Sequence, residues 1–219
     1  MGEDHLQHTE FHGELGLDFD TIAFSVLSAI LATIALLTGS VPVLIGAMIL
    51  SPTFDPLVAI PFGLVRRDWA LLLRGLGDTL AQFVLIFVVC SLVVVVWVRM
   101  PYFQPEQNIL GAELLRERLH LTWAGVLTAL AAGAGGALAF ASERRLHLVG
   151  VVIAIALVPT LAAAAIAFFG SGLPGWGGLA LFAVNIGGII VAGYLILTFR
   201  SGAGRAKSRL TRARHSTQD

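Results

Sequence analysis

The chain has few charged residues and a single cysteine, and both shortages narrow what it can be. Only 13% of its 219 residues are Asp, Glu, Lys or Arg, while 57% are apolar. A soluble domain typically has roughly a quarter of its residues charged. The composition therefore excludes an ordinary soluble domain and indicates an integral membrane protein. Cys90 lies within an apolar run and has no second cysteine with which to form an intrachain disulfide.

The sequence also lacks the motifs of several energy-converting proteins. It contains no nucleotide-binding loop, no haem motif and no pair of redox cysteines. We therefore expect no cofactor, and no use of ATP or electron transfer within this chain. The 14 basic residues balance the 14 acidic ones, so net charge gives no reason to expect a nucleic-acid partner.

One apolar run is interrupted in a way that an ordinary membrane anchor is not. Residues 41–65 are long enough to cross a bilayer, but the run contains Pro52 and Pro56 with Asp55 between them. Each proline removes a helical hydrogen bond, and a carboxylate in hydrocarbon is costly. Unpaired backbone at that depth is tolerated where protein or trapped water surrounds it. The sequence therefore predicts a broken helix and a candidate binding site there.

Apolar segments along the whole chain predict an all-α, polytopic membrane protein. The six predicted spans are residues 22–38, 41–65, 78–98, 122–141, 148–169 and 178–199. We expect Asp20 or Thr21 to cap the first span, Asp78 to cap the third, and a short interfacial helix to occupy 66–74. The predicted organisation is an acidic tail (1–20), a first membrane repeat (21–99), an extracytoplasmic loop (100–121), a second membrane repeat (122–199) and a basic, disordered cytoplasmic tail (200–219).

The arginines lie mostly on one side of this predicted topology. By the positive-inside rule both termini are cytoplasmic, in a multi-pass protein of the cell membrane. The cytoplasmic set is Arg66, Arg67, Arg74, Arg144, Arg145 and the basic tail, against Arg99, Arg116 and Arg118 on the other side.

The two halves of the chain resemble each other. A shift of about 107 residues superimposes Pro52-Thr53 on Pro159-Thr160, and Phe62-Gly63 on Phe169-Gly170. A repeat of three spans places its second copy upside down, so the second and fifth helices, broken at Pro52 and Pro159, would meet near the midplane. The alternative is six similar apolar segments without a common architecture.

Three stretches resemble a known family. Val43–Pro52, Leu148–Pro159, and Phe182 with Asn185 look like the domain of unknown function 389 family, a group of uncharacterised hydrophobic membrane proteins. The resemblance covers about residues 22–198 and implies six spans but no established activity. The chain departs from the family pattern at Asp55, where a small residue is expected, and at Thr160, where a second proline is common.

The candidate ligand-binding residues cluster around the predicted breaks. Asp55 could carry a proton or a cation, or could cap a half-helix restarting at Pro56. Ser51 and Thr53, with freed carbonyls, could form a small cation site of oxygen ligands, or could bond back to their own helix. Thr160 is the counterpart of Thr53 in the repeat, and Asn185 could face the crossing point or bridge two helices.

Two further patterns have competing interpretations. Gly75-Leu76-Gly77-Asp78 matches the Gly-x-Gly-Asp motif of intramembrane aspartyl proteases, with Asp55 as the second carboxylate. We expect Asp78 at the membrane surface and Asp55 roughly 15 Å deeper, which argues against a dyad. In the N-terminal tail, His5, His8 and His12 could share a helix face and bind a metal, or belong to a solvated tail.

Together these patterns favour a transporter or channel for a small ion or polar solute over an enzyme. We also expect contact with the lipid bilayer and a homo-oligomer joined through small-residue faces. The alternative is a membrane scaffold that recruits lipid or a partner protein and transports nothing. The small-residue stripe consists of Gly125, Ala129, Gly133, Ala137 and Ala141.

Overall fold

The computed structural model describes residues 16–100, 109–120, 122–141, 157–171 and 175–215. Within these ranges the chain is all helical, which confirms the predicted all-α class. The helices are α1 (Phe19–Thr38), α2 (Val41–Leu50), α3 (Phe54–Arg66), α4 (Trp69–Arg99), α5 (Ile109–Leu119), α6 (Trp123–Ala141), α7 (Leu157–Ile166), which continues as a π-helical turn (Ala167–Ser171), and α8 (Trp176–His215).

Several of these helices have the length and composition of membrane spans. α1, α4 and the first part of α8 (Trp176–Phe199) could each cross a bilayer. Two bent pairs raise the number of candidate spans from 3 to as many as 5: α2 with α3, at an angle of 51°, and α5 with α6, at 75°. The chain is therefore built as a membrane protein.

α1 begins earlier than predicted. Its N-cap is Asp18, which accepts a 2.9 Å hydrogen bond from the N–H of Thr21, so the expectation of a cap at Asp20 or Thr21 is wrong. Hydrogen bonding from Thr21 holds the pKa of Asp18 below its usual value. The helix ends at Gly39, whose φ of 71° is left-handed and suits a residue without a Cβ. The chain then turns directly into α2.

α4 is one continuous helix of 31 residues rather than an interfacial helix followed by a span. Its cap is Asp68, which accepts hydrogen bonds of 3.1 Å from the N–H groups of Ala70 and Leu71. The predicted cap, Asp78, lies inside the helix. Gly75 and Gly77 do not interrupt the helix, and Gly75 provides the space for close contact with α3.

The small-residue stripe of α6 packs against α8 within the same chain. A Cβ added to Gly133 would lie 2.5 Å from the Cα of Ile189, and one added to Gly125 would lie 3.4 Å from Leu181 Cδ1. The residue numbers of α6 and α8 increase in the same direction along the contact, so the two helices run parallel. Because this contact is intrachain, a homo-oligomer would need another face.

α7 is the most enclosed helix, with all ten of its residues buried. It contacts α1, α4 and α8. The last helix also differs from expectation: α8 continues through His215, where the sequence predicted disorder from residue 200. Ala, Arg, Lys and Leu in this stretch all favour helix. His5, His8, His12 and the residues immediately before α7 lie outside the described ranges.

Candidate functional site

The predicted break is confirmed between α2 and α3. α2 ends at Leu50 and α3 begins at Phe54, and their axes differ by 51°. Pro52 has no N–H, so the carbonyl of Met48 lacks the donor that a continuous helix would supply. Pro56 is the third residue of α3, where a backbone N–H would have no helical partner in any case.

Two hydroxyl groups line the break. Ser51 is 7% exposed and Thr53 is 4% exposed, and their hydroxyl oxygens lie 3.1 Å apart in a hydrogen bond. The N-cap of α3, Thr53, makes no side-chain hydrogen bond to its helix. The polar atoms of the break thus face one another inside the protein.

α1 brings a third hydroxyl to the same level. Ser28 donates a 2.6 Å hydrogen bond to the carbonyl of Ala47, which fixes the register between α1 and α2. Because these helices form an antiparallel hairpin, Ser25, one turn earlier, lies level with Leu50 at the end of α2. Ser25 is fully buried, and its hydroxyl has no hydrogen-bond partner among the described residues.

α4 brings two more buried polar groups. A Cβ on Gly75 would lie 2.9 Å from the carbonyl oxygen of Pro56, so α4 passes close to the start of α3. Thr79 and Gln82 follow on the same buried stripe of α4, one and two turns further, and α3 runs antiparallel. They are therefore level with the break. The Thr79 hydroxyl and the amide oxygen of Gln82 have no partner within the described part of the chain.

α8 places Asn185 at this level as well. The rings of Phe83 and Phe182 meet edge to face at 4.7 Å, and a Cβ on Gly193 would lie 3.0 Å from Pro61 Cγ. Asn185 lies between these two contacts and is buried. Its level on α8 matches that of the break between α2 and α3, and both predicted roles of Asn185, facing the crossing point or bridging two helices, stay open.

Thr160 is buried on α7, but its hydroxyl donates a 2.7 Å hydrogen bond to the carbonyl of Leu157. Thr160 thus bonds back to its own helix, which was the alternative considered for Ser51 and Thr53. Pro159 lies in the first turn of α7, where it interrupts no hydrogen bond of the described helix. The residues immediately before α7, where a second break would lie, are outside the described ranges.

Asp55 is placed differently from expectation. Its side chain is exposed at the surface of the chain, whereas the following residues, 56–63, are all buried. Asp55 therefore lies outside the buried groups of the break, and the alternative that it caps a half-helix restarting at Pro56 is wrong, because the N-cap of α3 is Thr53. α3 starts at Phe54 rather than at Pro56, so Asp55 belongs to the first helical turn, where a negative charge complements the helix dipole.

The depth argument against an aspartyl dyad is also wrong. It assumed a surface cap at Asp78, but α4 begins nine residues earlier, at Trp69, and folds back along α3. Gly75 contacts Pro56, so Asp78 and Asp55 lie at similar levels along the two helices. Asp78 is half-buried and Asp55 is exposed.

Sequence reasoning missed Ser25, Thr79 and Gln82. Gln82 carried a usable signal, because it is the one amide side chain in the predicted span 78–98, as Asn185 is in the span 178–199. Ser25 and Thr79 gave no such signal, since Ser and Thr are common in apolar helices and usually bond back to their own backbone.

The buried polar groups gathered at the break are uncharged and present oxygen atoms as ligands. They supply hydroxyl groups, an amide oxygen and a freed carbonyl, with no thiolate or imidazole. Among the residues that the structure describes, no group of three His, Cys, Asp or Glu side chains could hold a metal ion. The chemistry of this set suits a hard ligand rather than a transition metal.

The fold and this site define a helical membrane protein with a broken helix at its centre. The family model described as "Domain of unknown function (DUF389)" matches residues 48–191, and the chain belongs to that family. The chain is also 27% identical over 146 residues to an uncharacterised protein of Methanocaldococcus jannaschii. That alignment covers 67% of this chain but 43% of the relative, so the chain spans less than half of the relative's length. No solved structure matches the chain.

Proposed function

We propose that this chain is a membrane transporter or channel for a small ion or polar solute, with its site at the break between α2 and α3. The observation that carries the proposal is that three buried oxygens at that break, from Ser25, Thr79 and Gln82, have no hydrogen-bond partner among the residues that the structure describes. Burying a polar group without a hydrogen bond costs about 2–7 kcal/mol, so a cluster of such groups at one level favours a bound ligand as the missing partner. Discontinuous helices near the midplane are typical of transport sites.

The proposed topology is six spans in two inverted repeats. The contacts support it, because α1, α4 and α7 run in one direction while α3, α6 and α8 run in the other. Pro159 at the start of α7 would be the counterpart of Pro52. The two repeats would rock against each other about these prolines, with both termini in the cytoplasm.

Asp55 has the proposed role of a coupling or entrance group. An exposed carboxylate beside a buried polar site is placed to exchange a proton or to attract an entering cation. Ser51 and Thr53 would contact the ligand at the break, and Thr160 and Asn185 would surround it.

The test is flux of protons and of cations into proteoliposomes under imposed gradients, with the native chain and Asp55→Asn. We expect flux from the native chain and at least a tenfold loss with Asp55→Asn, because the substitution removes the charge and keeps the shape. Asp20→Asn is the matched control, since Asp20 is an exposed carboxylate in the first turn of α1. Absence of flux from the native chain, across protons, cations and polar solutes, would contradict the proposal and favour the scaffold.

An intramembrane aspartyl protease is the second candidate, because Asp55 and Asp78 lie at similar levels on adjacent helices. Cleavage of a transmembrane peptide that is lost equally in Asp55→Asn and Asp78→Asn would support it. A transporter should tolerate Asp78→Asn, so flux that persists in this variant decides against the protease.

A further inference from the structure

We infer that the break holds a monovalent alkali-metal cation, such as Na⁺, bound by uncharged oxygens. The proposed ligand set is Ser25, Ser51, Thr53, Thr79 and Gln82, with the carbonyl of Met48. The inference deepens the proposed function and rests on it for its biological purpose, but binding itself is measured independently of transport.

The first argument is the number of buried acceptors without donors. The amide oxygen of Gln82 can only accept, and Gln82 is 2% exposed. The hydroxyls of Ser25 and Thr79 are also without partners among the described residues. These groups come from α1 and α4, two helices that contact each other, and all three lie at the level of the break. A small cation bound there would supply a partner for acceptor oxygens of both helices.

The second argument is the sign of the field at the break. The C-terminus of α2 presents carbonyl oxygens, which carry the negative end of the helix dipole and favour a cation. The N-terminus of α3 would favour an anion, but Asp55 in its first turn offsets that positive end. The net preference is therefore for a positive ligand.

The third argument concerns size and charge. The five side chains are each no more than 7% exposed, so the set is closed to bulk solvent and an organic solute would have to displace packed side chains to reach it. A divalent ion loses much more hydration free energy and normally requires carboxylate ligands. Asp55 is exposed and Asp78 is half-buried, and neither belongs to this buried set, so a monovalent ion fits the neutral site.

The experiment measures cation binding to the purified full chain in detergent. Radioactive ²²Na⁺ binding and the thermal unfolding midpoint are followed as NaCl, LiCl or KCl replaces choline chloride at constant ionic strength. We expect saturable binding and a rise in the midpoint with at least one alkali cation. No binding, or a response to Ca²⁺ or Mg²⁺ alone, would overturn the inference.

Ser25→Ala separates a ligand from a structural residue. Removing an unpartnered buried hydroxyl should leave stability in choline unchanged or higher, while the half-maximal Na⁺ concentration rises about tenfold. Ser91→Ala is the control, because Ser91 on α4 bonds back to Phe87 and lies beyond the break. An unchanged Na⁺ response in Ser25→Ala would contradict the assigned site.

The two proposals fail in different ways. Cation binding without any flux in proteoliposomes would retain the binding site and reject the transporter. Flux of another solute that is indifferent to Na⁺, Li⁺ and K⁺, with no binding of these cations, would retain the transporter and reject the cation site.

Discussion

Adjacent glycines on α8 have opposite surroundings. A Cβ on Gly188 would lie 2.9 Å from the Cβ of Ala129 and 3.2 Å from its carbonyl carbon, whereas a Cβ on Gly187 would meet nothing within 4 Å. The closeness of α6 and α8 therefore depends on one glycine of the pair and not on the other.

We expect Gly188→Ala to destabilise the folded protein by about 1–3 kcal/mol, because the added methyl group forces the two helices apart. Gly187→Ala is the matched control and should be neutral or slightly stabilising, since alanine favours helix more than glycine. Thermal or denaturant unfolding in detergent measures both. Equal stability of the two variants would show that the α6–α8 contact is looser than described.

For single residues, the sequence predicted which polar side chains are buried better than it predicted which way each side chain faces. Ser51, Thr53 and Asn185 are buried at or near the break as expected, because polar residues in an apolar run seek the protein interior. Asp55 faces outward, because its position in the first turn of α3 points it away from the buried side. Which way a residue faces depends on where its helix starts, and that start was misplaced by two residues.

Among the helices, the break between α2 and α3 is the element on which function should depend. Pro52→Ala supplies the N–H that Met48 lacks and favours one continuous helix. We expect the variant to fold with equal or greater stability and to lose flux and cation binding. A substitution that stabilises the protein and abolishes activity is the expected signature of a functional irregularity.

Pro42→Ala is the control for this prediction. Pro42 lies in the first turn of α2, where a backbone N–H has no partner within the helix, so the substitution adds no helical hydrogen bond. Its flux should stay near the native value, as measured in the same proteoliposomes. Flux from Pro52→Ala at the native level would show that transport does not require the break.

The helix boundaries show what local sequence can and cannot establish. The break at Pro52 was predictable, because a missing N–H acts within its own helix. The start of α4 was not, because Asp68 and Asp78 are both plausible caps and the choice is made by tertiary contact. Gly63 and Gly75 allow α3 and α4 to touch, and this contact keeps residues 69–78 in the same helix as the span.

For the whole molecule, the proposed alternation of spans predicts which segments face each side. Ser40, between α1 and α2, should be extracytoplasmic, and Trp69, at the start of α4, should be cytoplasmic. Ser40→Cys should react with a membrane-impermeant maleimide in intact cells, and Trp69→Cys only after the cells are opened. Buried Cys90 gives a low background. Labelling of both from the same side would contradict the topology.

The overall class was predictable from the sequence, whereas the arrangement of helices was not. Apolar runs alone predicted helices of membrane length. The levels at which Asp78 and Thr79 lie relative to the break follow from contacts such as Gly75 with Pro56, made by residues far apart in the sequence. Such registers depend on packing between helices, which no local pattern contains.

The length of α4 has a consequence for the surrounding bilayer. Its 31 residues span about 46 Å, whereas a hydrocarbon core is about 30 Å thick. The helix must tilt or extend beyond the core, and it is the helix that carries Thr79 and Gln82. A thicker membrane would bring α4 upright and a thinner one would tilt it further, against α3 and the break. The acyl-chain length of the lipid would therefore change the tilt of α4 and with it the geometry of the site.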